Sequence, residues 1–158
     1  MIDTARQPLR FLLETLPLQA KYLQDTDGRF FAQPLTGKRA AELRADALLA
    51  ERLDAFSARF ARLQDTAGDK LLPALLVCLG EPVASVIDNL DRAARLRLLN
   101  ASSDDWIAAR ALRSRMAHAY IRNPTVLAEA MTAAHAAVPM LVAFVLPSDD
   151  YARARKLV

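Results

Sequence analysis

Leucine and phenylalanine recur along this chain at helical intervals. Leu9, Leu12, Leu13 and Leu16 mark a first helix from about Pro8 to Leu23, which Pro17 is expected to kink or divide. The stretch QDTDGRFFAQPLTG (24–37) carries Gly, Pro and Asp and predicts a loop, ordered by Phe30 and Phe31. Leu49, Leu53, Phe56, Phe60 and Leu63 then follow at steps of four, three, four and three, the spacing of a seam against another helix. TAGD (66–69) should bend this helix, and KLLPALLVCLG continues it as a short apolar helix ending at Gly80. Pro82 is expected in the first turn of a third long helix, with Val83, Ile87, Leu90 and Ala94 facing inward. Ser102 caps the next, with Asp105 three residues on. That helix should end at Asn123-Pro124, a pair that also caps and starts the last one. There Leu127, Met131, Ala134, Val138 and Leu141 form an apolar stripe, and the mixed-charge tail DDYARARKLV is expected to fray. No stretch alternates with period two. The expected fold class is all-α, a helical bundle forming one domain over 1–158.

Composition agrees with that pattern. The chain has 158 residues, 53% hydrophobic and 25% charged, with only 4 glycines and 6% aromatics, a balance that favours helix over sheet. No run reaches the roughly 18 apolar residues of a membrane span, so no membrane association is expected. The opening MIDTARQPLRFLL lacks the basic, apolar and cleavage regions of a secretory leader. A lone Cys78 forms no internal disulfide and suits a reducing compartment, so a cytoplasmic location is expected. The isoelectric point of 9.3 admits nucleic acid as a partner without requiring it.

One stretch breaks the pattern. In LRSRMAHAY (112–120), with about 100° per residue, Trp106, Ala109, Leu112, Met116, Ala117 and Tyr120 surround Arg113 on the apolar face. A guanidinium stays charged and is costly to bury alone. It must reach solvent, pair with an acid such as Asp88 or Asp91 in a purely structural role, or face a cleft or interface that takes an anion. His118 lies about 140° away, beside Ser114 and Arg115, in the last turn. Between Arg92 and Arg122 stand seven arginines (92, 95, 97, 110, 113, 115, 122) against Asp104 and Asp105, a zone suited to a phosphodiester or to plain solvation. His135 reads as a satisfied core or interface histidine, and Trp106 as a packing anchor. No phosphate loop, paired cysteines or metal-ligand spacing is present, so no cofactor or metal is expected. Cys78 could act as a nucleophile only through tertiary contacts.

RSRMAHAY resembles the R-x-x-x-x-H-x-Y signature of the HEPN superfamily, specifically the HepT-like toxins paired with minimal nucleotidyltransferase antitoxins. ARFARLQDTAGDKLLPALL (58–76), DNLDRAARLRLL (88–99), DDWIAARALRSRMAHAY and AHAAVPMLVAF extend the resemblance over about residues 40 to 145. It implies an antiparallel helical bundle of the HEPN type, a homodimer with both signatures at the interface. It also implies metal-independent cleavage of RNA by attack of the 2′-hydroxyl. His118 would be the general acid or base and Arg113 would stabilise the phosphorane, with Ser114, Arg110, Arg115 and Arg122 supporting RNA. Tyr120 matches the tyrosine that the partner antitoxin adenylylates. Two positions depart from the pattern: Ser114 stands where the family often has Asn, and Ala119 where this subgroup often has Glu. The alternative is a non-catalytic HEPN subunit that presents a substrate or a tyrosine to a nucleotidyltransferase.

Overall fold

The computed structural model describes residues 2–119 and 122–158, and every regular element among them is helical. In order these are α1 (Ile2–Phe30), α2 (Gly37–Ala41), α3 (Ala47–Thr66), α4 (Leu72–Cys78), α5 (Val86–Arg95), α6 (Ser103–Ala119), α7 (Pro124–Val145) and α8 (Ser148–Ala154). A 3-10 turn, Glu42–Arg44, follows α2, and a π-helical turn, Ala67–Leu71, joins α3 to α4.

The four long helices form a ring in the order α1, α3, α6, α7, and each neighbouring pair runs antiparallel. Phe30 of α1 stacks on Phe56 of α3, while Phe11 and Thr66 share a groove at the other end of that seam. Asp69 of the π-helical turn and Asp65 of α3 meet Arg110 and Arg113 of α6, in that order. Trp106 meets Phe144, and Ala109 shares a cleft with Ala137, between α6 and α7. Asp27 of α1 bonds His135 of α7 and closes the ring. In the first three pairs the numbering rises on one helix as it falls on the other, so α7 runs antiparallel to α1 as well.

The seam expected in α3 and the stripe expected in α7 are both buried. The helix caps also form where they were expected. Ser102 Oγ accepts from the Asp105 N–H at 3.1 Å, and Asn123 Oδ1 from the Val126 N–H at 3.1 Å with Pro124 beginning the helix.

Four expectations are corrected. Residues 24–30 belong to α1, which also runs unbroken through Pro17. Long-range contacts override weak local propensity there: Phe30 is fully buried, and Arg59 donates to the Tyr22 carbonyl and the Thr26 hydroxyl. The helix stops where the Arg39 guanidinium takes the Phe30 carbonyl at 3.1 Å. Secondly, Pro82 does not open a helix. Ser85 caps α5, and Asn89 holds both the N–H and C=O of Ala84, so Val83, Ile87 and Ala94 are exposed and Asn89, Leu90 and Ala93 face inward. Thirdly, the tail does not fray: α8 buries Ala152, and Leu157 docks beyond it. Fourthly, Pro124–Ala154 holds an 18-residue window of mean hydropathy 1.7, long and apolar enough to cross a membrane by length and composition. Its alanines raise the average without forming a run of large apolar residues, and its Leu127–Leu141 stripe packs inside the bundle.

Among the described residues, three helix ends close with a left-handed residue and a bond reaching back five residues. They are Gly80 (φ 77), Arg97 (φ 57) and Lys156 (φ 56). Glycine bears that conformation without strain, whereas arginine with its Cβ does not. Exposed Arg97 replaced by glycine is therefore expected to stabilise the fold by about 0.5–1 kcal/mol, a rise of roughly 1–4 °C in Tm. A lower Tm in thermal melts would show that the Arg97 side chain outweighs the strain.

Candidate functional site on helix α6

The wheel drawn from the sequence holds for α6 at four positions and fails at Ala117, which it set on the apolar face and which is exposed. Trp106, Ala109, Leu112 and Met116 are buried, while Arg113 is half-buried and Ser114, Ala117 and His118 are exposed. Arg113 sits at the rim of a shallow groove of about 370 Å³ between α3 and α6, which Asp54, Ser57, Met116 and Ala117 also line. From that rim, Ala117, Ser114 and His118 follow one another round the helix over about 140°. The structure thus sets Arg113 and His118 at the two edges of one solvent-facing strip. It does not join them: among the described residues no hydrogen bond links the pair.

What Arg113 does touch is Asp65. The two form an ion pair through Nη1 and Oδ1, with side chains 32% and 42% exposed. Asp65, not Asp88 or Asp91, is its acid partner, and the pair is open to water rather than sealed. One rung along, Arg110 reaches Asp69 at 3.5 Å. Sequence reasoning missed this ladder. The signal was there in two acids four apart, Asp65 on α3 and Asp69 in the π-helical turn after it, and two arginines three apart on α6, but only the antiparallel register of the helices pairs them. An exposed pair of this kind contributes at most about 1 kcal/mol, so a polyanion can compete for the guanidinium.

The basic zone is accordingly divided. Arg92 pairs with Glu81 at 3.0 Å, and Arg110 and Arg113 pair with Asp69 and Asp65, which leaves Arg95, Arg97, Arg115 and Arg122 with no ion-pair partner among the described residues. Arg115 lies on the far side of α6, in the cleft with α7, and does not share the Arg113 face. Exposed Arg122 follows the helix. Tyr120 lies outside the described residues, and of Ala119 only the helical backbone is described.

His135 is satisfied, as expected, but at the surface. Its Nδ1 lies 2.6 Å from Asp27 Oδ1, its ring stacks on Phe31 at 4.2 Å, and 44% of the side chain is exposed. Cys78 points its Sγ at the Ala5 carbonyl, and among the described residues it makes no hydrogen bond to a histidine. Burial pushes its thiol pKa up, against the opposing pull of the Arg6 charge. The thiolate is therefore scarcer at neutral pH than in a free cysteine, and Cys78 should alkylate more slowly than a cysteine peptide at pH 8. A mass-spectrometric time course with iodoacetamide checks this, and equal rates would contradict it. Among the described residues no three His, Cys, Asp or Glu side chains gather as a metal site requires.

No protein-family model matches the chain, and comparison with curated proteins and with solved structures likewise gives no match.

Proposed function

We propose that this chain is a HEPN-type, HepT-like endoribonuclease toxin that acts in the cytoplasm as a homodimer and is held in check by a minimal nucleotidyltransferase antitoxin. The observation that carries the reading is the α6 strip, with a half-exposed guanidinium at one edge, an imidazole at the other and a hydroxyl between. In this reading the RNA 2′-oxygen attacks the adjacent phosphorus and the bond to the 5′-oxygen breaks. The proton leaves the 2′-hydroxyl and one is delivered to the departing 5′-oxygen, with His118 as the acid or base. Arg113 exchanges Asp65 for the phosphorane oxygens, and Ser114 supplies a hydroxyl to the same phosphate. Two copies related by a two-fold axis bring the strips together, which narrows the angular gap that a single helix leaves.

The test is direct. The purified chain, with magnesium chelated, should cut single-stranded RNA and leave 2′,3′-cyclic phosphate and 5′-hydroxyl ends. Intact RNA after prolonged incubation overturns the enzyme reading.

The Asp65–Arg113 pair favours one other reading: a non-catalytic HEPN subunit in which Asp65 neutralises the arginine and Tyr120 is presented to a nucleotidyltransferase. In that case RNA stays intact, while Tyr120 gains the mass of AMP when the partner and ATP are added.

A further inference from the structure

Helix α1 carries two apolar faces, and the bundle uses only one. Leu9, Leu12, Leu16, Ala20 and Leu23 are buried against α3 and α7. Phe11, Leu18 and Tyr22 stand outside, 64%, 54% and 51% exposed. Scattered exposed apolar residues are ordinary, but a row of them along one helix is not. With Thr15, they fall at steps of four, three and four, the spacing by which α3 packs on its own neighbours.

A groove of about 590 Å³ runs beside this row, between α1 and α3. Its charged lining is Arg62 and Lys70, with no carboxylate. Neither cation has an ion-pair partner among the described residues, in contrast to Arg110 and Arg113 across α3. Gln19 lines the same groove, and among the described residues its buried Oε1 accepts no hydrogen bond. At one end, the Arg59 guanidinium sits 5.6 Å over the Tyr22 ring and adds a third positive charge.

We infer that the α1–α3 groove docks an acidic amphipathic helix of another protein. Its apolar seam lies on Phe11, Leu18 and Tyr22, its carboxylates meet Arg62 and Lys70, and a donor reaches Gln19. A second copy of this chain fits less well. In a two-fold antiparallel pair of α1 helices each flank meets its own equivalent, so the cationic edge would face itself. In the ring α1 lies diagonally across from α6, so a helix docked here leaves the Arg113–His118 strip open, and the inference stands apart from RNA cleavage.

Two labelled helical peptides test it, sharing one leucine seam but flanked by glutamates in one and lysines in the other. Fluorescence anisotropy should show the glutamate peptide bound at least about tenfold more tightly at low salt, as charge complementarity requires. Leu18→Asp should weaken that binding by a similar factor, and Arg62→Glu with Lys70→Glu should reverse the preference. Leu18, Arg62 and Lys70 are exposed, and far-UV circular dichroism checks that each variant keeps its helices. The inference is overturned if neither peptide binds, if both bind alike, or if Leu18→Asp changes nothing. It is also overturned if sedimentation shows a dimer that Leu18→Asp dissolves, which would assign the face to a second copy.

Discussion

Trp106→Ala is expected to cost about 3–5 kcal/mol of stability, the range for emptying a large aromatic site in a packed core. The indole is 2% exposed and meets the Phe144 ring edge-on at 5.3 Å. Its six-membered ring also lies over Gly68 in the π-helical turn, so one side chain ties α6 to α7 and to the junction of α3 and α4. These elements cannot all collapse into the void, because each is held by its own neighbours. For a chain of this length the loss corresponds to a fall in Tm on the order of 10 °C. Circular dichroism is the suitable probe, since Trp106 is the only tryptophan and its removal takes the fluorescence signal with it. Trp106→Phe keeps a ring against Phe144 and should cost clearly less. A loss below about 1 kcal/mol for the alanine variant would place Trp106 outside the core's main support.

His118→Ala is expected to reduce RNA cleavage by about 10²–10⁴-fold, the usual contribution of a positioned general acid or base. Arg113→Ala should cost about 10²–10³-fold, as removal of one donor to a developing oxyanion does. Stability should barely change in either variant. His118 is exposed, and surface substitutions usually stay within about 0.5 kcal/mol. Removing Arg113 leaves Asp65 without its partner, but that carboxylate is 42% exposed and water can replace the guanidinium. The combination separates a site from a strut: a structural arginine would lower Tm and leave cleavage per folded molecule unchanged. If wild type, His118→Ala and Arg113→Ala cut RNA at one rate, neither side chain serves the chemistry.

Features built from neighbours in sequence were legible in advance. The α3 seam, the α7 stripe, the Ser102 and Asn123 caps and the Gly80 stop each depend on residues within a turn or two, and each is where the pattern put it. The departures have one origin. Asp25, Thr26, Asp27 and Gly28 look like a loop because their local propensities are weak, but Arg59 and the buried Phe30 lie far along the chain or in the core and hold them helical. Pro82 looks like a helix start until Asn89 brackets Ala84 and moves the start to Ser85 and Val86.

The site divides the same way. That Arg113 is an anomaly on an apolar face, and that His118 points elsewhere, follow from 100° steps round one helix, and the sequence determines both by itself. Asp65 as the partner of Arg113, the groove at its rim and the split of the basic zone into paired and unpaired arginines were decided only by the tertiary structure. Helical periodicity is a property of near neighbours, but which acid meets which arginine depends on how two helices slide past each other. That register is set by the whole core at once, with Trp106, Phe144 and the α3 seam among its anchors.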